Sequence, residues 1–105
     1  MSEFGWTSSG LLAADAVISA GPCKLGGALV VSDGTNAVLL EIWDSPDSTT
    51  TSDIRLGEVS IGASPAAGAL TQQVWFGDKG VTALKGLWAD VTQATGTIKF
   101  YVYFG

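Results

Sequence analysis

Histidine is absent from this chain of 105 residues, cysteine occurs once (Cys23), proline three times, and basic residues only five times. Without histidine there is no imidazole acid–base catalysis and no His-ligated metal site. One cysteine excludes an intrachain disulfide scaffold. The five cations (Lys24, Arg55, Lys79, Lys85 and Lys99) are scattered, and ten Asp plus Glu outweigh them to leave a net charge of −5. A phosphate backbone is held by a basic stripe, so nucleic acid is not an expected partner. Long hydrophobic runs are missing too. The stretch around Ala37–Ile42 is far short of the roughly 20 residues a membrane helix needs, and no membrane partner is expected. Met1-Ser2-Glu3-Phe4 carries an acid and no Lys or Arg, unlike a secretory signal. Synthesis in a cytoplasm is the expectation.

What is present is apolar. Hydrophobic residues make up 47% and charged residues 14%, against about 25% charged in an average soluble domain. Disorder needs the opposite balance. The length suits one domain, with residues 1–10 as a short Gly/Ser-rich arm and residues 11–105 as the folded body.

The apolar segments are short, β-branched or aromatic, and punctuated by glycine, which predicts an all-β domain. Strands are expected over Leu11–Ser19, Cys23–Ser32, Ala37–Trp43, Ile54–Ile61, Gln72–Phe76, Val81–Asp90 and Thr97–Phe104. The run Leu11-Leu12-Ala13-Ala14 equally suits a helical turn. Gly26-Gly27 inside a strand predicts a bulge or a close backbone approach. Asp33-Gly34-Thr35-Asn36 is the clearest turn, and Leu25–Ser32 and Ala37–Trp43 read as a hairpin around it. Further turns are expected at Gly77–Gly80 and at Gln93-Ala94-Thr95-Gly96. In Ala37–Trp43, Val38, Leu40 and Ile42 share one face, and Leu39, Glu41 and Trp43 the other. In the last strand Ile98, Phe100, Val102 and Phe104 alternate inward, with Lys99, Tyr101 and Tyr103 outward. About seven such strands make a small antiparallel sandwich or a Greek-key or jelly-roll-like barrel.

Catalytic signals are missing. There is no phosphate-binding glycine loop, and Gly62-Ala63-Ser64-Pro65-Ala66 lacks the second glycine of a nucleophile elbow. Cys23 has no His partner; Lys24 beside it could lower its pKa, but a small buried hydrophobe is the plainer reading. Asp44, Asp47 and Asp53 share one polar loop and could offer oxygens to Ca²⁺, although their spacing is not that of an EF-hand. Glu41 and Glu58 are formal candidates for a hydrolytic carboxylate pair, yet each sits mid-strand, where a solvated outward position is the ordinary one. The expectation is no enzyme, no cofactor and no metal. Four tryptophans suit a sugar-stacking platform, but Trp on a strand more often packs in a core or an interface. With so little charge to cover two sheets, apolar surface is left for a partner.

The order of motifs resembles a family of small β-sandwich structural proteins of tailed bacteriophages. The resemblance runs through Ser19-Ala20-Gly21-Pro22-Cys23, Leu25-Gly26-Gly27-Ala28-Leu29-Val30-Val31 and Leu40-Glu41-Ile42-Trp43-Asp44. It continues through the loop Ser45–Asp53, Ile54-Arg55-Leu56-Gly57 and Val74-Trp75-Phe76, and closes on Lys85-Gly86-Leu87-Trp88 and Gly96-Thr97-Ile98-Lys99-Phe100-Tyr101. It covers about residues 15 to 104 and departs from the family at Cys23, where glycine is common, and in tryptophan content. It implies a non-enzymatic virion part: a capsid decoration (cement) protein docked on major capsid protein, or a neck, tail or fibre component. A homo-oligomer, trimer before dimer, is implied as partner. The interface residues expected are Phe4, Trp6, Trp43, Trp88, Tyr101 and Tyr103, with the arm free to add a strand to a neighbour. A carbohydrate-binding or adhesin module using the Asp44–Asp53 loop and exposed Trp is the alternative.

Overall fold

A computed structural model describes residues 6–93 and 98–105. Phe4 and the turn expected at residues 94–96 lie outside them. The described chain is all-β, with no helix, and its nine strands are β1 (Thr7–Ser8), β2 (Ala16–Ser19), β3 (Cys23–Val31), β4 (Val38–Trp43), β5 (Arg55–Ile61), β6 (Thr71–Trp75), β7 (Val81–Ala83), β8 (Leu87–Gln93) and β9 (Lys99–Phe104). They form two antiparallel sheets. The first has the order β1-β9-β3-β6, with β7 beside β6 on the same edge of β3; the second has the order β2-β8-β4-β5.

The sandwich follows from alternation. Side chains at every second position of a strand share a face, and two sheets bury their inner faces against each other. From the first sheet and the residue entering β9 come Leu25, Ala28, Val30, Ala83, Ile98, Phe100 and Val102. From the second come Val38, Leu40, Ile42, Val59, Ile61, Leu87 and Ala89. All of these are buried. The alternation expected for Ala37–Trp43 and for the last strand is the alternation observed, with Phe104 only half-buried at the end. Gly26-Gly27 marks a bulge: the pairing of β3 with β9 shifts between Leu25 and Gly27.

Three expectations about strand pairing and continuity are corrected. The turn at Asp33–Asn36 exists, but β3 and β4 do not form a hairpin, since they belong to opposite sheets. One Asp33 carboxylate oxygen accepts the amides of Thr35 and Asn36, and the other accepts the Asn36 side-chain amide. The Ser32 amide donates to the Leu70 carbonyl rather than across to β4. With apolar inner faces on both strands, the turn carries the chain over the core, where Ala28 and Val30 look toward Val38, Leu40 and Ile42.

The single strand expected over Val81–Asp90 is likewise divided. β7 lies in the first sheet and β8 in the second, with Leu84-Lys85-Gly86 as the corner. The corner is held from 40 residues away by the buried Asp44, whose carboxylate accepts the amides of Leu84 (3.1 Å), Lys85 (2.8 Å) and Gly86 (3.4 Å). Gly86 fits because a Cβ there would meet the Ser19 carbonyl at 2.5 Å and the Pro46 Cα at 2.9 Å.

The strand expected over Leu11–Ser19 is confined to Ala16–Ser19, and no helical turn forms before it. Leu12 makes a two-way amide bridge with Phe100, so the chain crosses between sheets just after it. The described part of the arm already lies in the body's own sheet. Thr7 and Ser8 pair with Phe104 and Tyr103, and the Ser9 hydroxyl accepts the Val102 amide at 2.9 Å.

Candidate interaction faces

The expected interface residues do not make one patch. Tyr101 and Tyr103 stand on the outer face of the first sheet, and Trp43 and Trp88 on the outer face of the second. Trp6 belongs with the first.

On the first sheet, register places Trp75, Gly27, Tyr103 and Ser8 in one row across four strands, with Gln73, Leu29 and Tyr101 in the next. Gly27 leaves the floor bare between two aromatic residues. A Cβ there would come within 2.5 Å of the Trp75 ring and of the Val74 carbonyl, and a Cβ on Gly26 would overlap the Trp6 indole. Trp6 also covers Gly80, which sits at φ +67°. Over this floor Trp75 and Tyr103 lie with ring centroids 5.1 Å apart and planes tilted by 32°, within the range of favourable aromatic pairs. Trp75 keeps 49% of its surface exposed, with Leu70 exposed nearby in sequence. Trp75 is the functional candidate that the expected set omits. Its signal is the alternation Thr71-Gln73-Trp75 combined with a glycine pair on the neighbouring strand, and it needs the pairing of β3 with β6 to be seen.

On the second sheet, Val17, Trp88, Trp43 and Arg55 lie in one cross-strand row. The Trp43 indole N–H is buried and finds no acceptor among the described residues. The adjacent row holds Asp90, Glu41 and Glu58 directly opposite one another. Like charges so placed repel. Arg55 offsets part of this, reaching Glu41 at 2.6 Å and Glu58 at 3.7 Å. Asp90 is held above the usual carboxylate range, first by burial and then by the charges of Asp15 and Glu41. The two glutamates weighed as a hydrolytic pair thus share one guanidinium.

The polar loop is committed to structure. Asp44 holds the corner amides, Asp47 accepts the Thr49 amide at 2.9 Å, and Asp53 pairs with the Lys85 ammonium. The Asp53 carboxyl is held low and the Lys85 ammonium high by that pairing. Ser45, wholly buried, hydrogen-bonds the carbonyls of Asp47 and Thr49. Among the described residues no group of three or more Asp, Glu, Cys or His is arranged to hold a metal ion. Cys23 packs against the core, and burial pushes its thiol up, ahead of a lowering contact from Ser19 and a raising charge from Asp44. Lys24 takes the opposite side of β3 from Cys23, as alternation requires.

No family model, no curated protein and no solved structure matches this chain.

Proposed function

We propose that this protein is a non-enzymatic virion structural protein of a tailed bacteriophage, acting as a capsid decoration (cement) protein that docks on the shell and associates with its own copies. The observation that carries the reading is the outer face of the first sheet. A tilted Trp75–Tyr103 pair sits on a glycine floor beside Trp6 and Tyr101, in a body whose core is already closed. Trp75 is exposed and Trp6, Tyr101 and Tyr103 are partly so; apolar surface left open marks contact sites, and Trp and Tyr dominate the energetics of such contacts. The motif order from Ser19 to Tyr101 supports the same class. Weak docking at many symmetry-related sites is then summed by avidity. Neck, tail or fibre placement uses the same surface.

The test is co-sedimentation of the purified protein with tailed-phage heads stripped of decoration. Saturable binding that is lost in Trp75→Ala is expected; no binding to any head or tail preparation overturns the reading. A carbohydrate-binding module is the second reading, favoured by the half-open Trp75 ring with Gln73 two residues before it on the same face. Glycan-array binding abolished by Trp75→Ala would move the assignment there.

A further inference from the structure

Charge is divided between the sheets. The strands of the first carry Lys24 and Lys99 and no carboxylate, whereas those of the second carry Glu41, Glu58 and Asp90 against Arg55 alone. Lys24 is opposite the exposed Thr82, while its neighbours Cys23 and Leu25 turn inward; Lys99 is opposite Val31. Both ammonium groups therefore stand on the outer face, near the two ends of β3. Among the described residues neither enters an ion pair, the pairs there being made by Arg55 and Lys85. The acid row on the opposite side of the sandwich has one internal cation for three carboxylates.

Resting on the reading of a self-associating shell protein, we infer that copies join head to tail. The first-sheet face of one copy, with Trp75, Tyr101, Tyr103 and its two lysines, seats on the second-sheet face of the next, with Trp43, Trp88 and the acid row. Like faces are poor partners for each other: second on second brings six strand carboxylates together, and first on first brings four lysines. Opposite faces match in charge, and both are aromatic along one row. The extents of 36 × 33 × 18 Å describe a slab. Its broad face offers on the order of 1,000 Å², enough for the roughly 800 Å² per partner of a specific interface. Such a contact is heterologous and, since a closed ring would cover the face that docks on heads, it extends as an open stack whose end copy keeps its first-sheet face for the shell.

Sedimentation velocity over a concentration series at low and high salt tests this with four chains. One is the natural chain, one carries Lys24→Glu with Lys99→Glu, one carries Glu58→Lys with Asp90→Lys, and one carries all four substitutions. Head-to-tail association is weakened at least about tenfold by either face reversal alone and by salt. It returns in the chain with all four substitutions, which also shows that the reversed faces still fold. If only one face matters, or the four-substitution chain stays dissociated, the association is not head to tail and the inference fails. A natural chain that remains monomeric at every concentration also overturns it. The co-sedimentation with heads is read separately, so loss of this inference leaves the docking proposal to its own measurement.

Discussion

The two outer faces of this sandwich begin from similar material and are finished differently. Each has an aromatic row running across its strands: Trp75, Gly27 and Tyr103 on the first sheet, Trp88 and Trp43 on the second. On the first sheet the rings rest on glycines, and one of them stays half open to solvent. On the second the tryptophans are half-buried beside a line of carboxylates braced by a single arginine. One face holds its aromatic surface by removing side chains beneath it. The other carries charge repulsion that its own residues only partly relieve. A sheet face gains nothing for its own fold from directly opposed carboxylates, so the second face is the more expensive one for an isolated molecule.

Both faces depend on the corner that passes the chain from β7 to β8, so the largest effect is expected there. Asp44→Ala removes the buried carboxylate that accepts the amides of Leu84, Lys85 and Gly86 at this corner. A buried donor left unpaired costs about 1–3 kcal/mol; Gly86 is the buried one of the three, so a loss of about 2–3 kcal/mol in chemical denaturation is expected. A loss under about 1 kcal/mol would mean that the strand division has another cause.

Next in size is Gly27→Val, which attacks the first face alone. The new side chain meets the Val74 carbonyl as well as the Trp75 ring, and backbone cannot swing aside as a ring can. Overpacking of this kind costs about 1–3 kcal/mol. The tryptophan fluorescence of the variant should also shift to longer wavelength as Trp75 is lifted from its floor. Trp75→Ala, by contrast, removes a half-exposed ring. It should lower stability by no more than about 1 kcal/mol while abolishing head binding, and a large loss of stability with binding retained would make Trp75 a structural residue and not a docking one.

Much of this architecture is legible in the residues, and the part that is not has a physical reason. The alternation in Val38–Trp43 and in Ile98–Phe104 tells which side chains enter the core, because period two is a local property of any strand. Gly26-Gly27 announces the bulge for the same local reason. Sheet membership is not local. Asp33–Asn36 carries the composition of a hairpin turn, yet the strands on either side of it face each other across the core. The break at Lys85-Gly86 is set by a carboxylate 40 or more positions earlier in the chain. Trp75 is missed because its seat on the outer face depends on Gly27, which lies on another strand. The acid row is invisible for a similar reason: Glu41, Glu58 and Asp90 are well separated in sequence and meet only through the registers of β5 and β8 with β4.

The smallest effect expected is the one that isolates the second face. Asp90 has its native value raised by burial and by Asp15 and Glu41, so the folded state holds its proton more tightly than the unfolded chain does. The ionised form is therefore destabilising, fully so above the raised native value, and the cost disappears as pH falls below the ordinary carboxylate range. Asp90→Asn should stabilise the protein at neutral pH by about 0.5 kcal/mol, the size expected for relieving opposed like charges, and the gain should vanish in acid. Asp53 titrates with the opposite sign. Lys85 holds its carboxyl low, so its contribution is present above the ordinary range and is lost as pH falls through the lowered value. Asp53→Asn should thus destabilise at neutral pH and converge on the natural chain in acid from below, while Asp90→Asn converges from above. Urea midpoints collected from neutral pH into acid for the two variants separate these cases. Matching curves of one sign would mean that the carboxylate row is not under the repulsion its register implies.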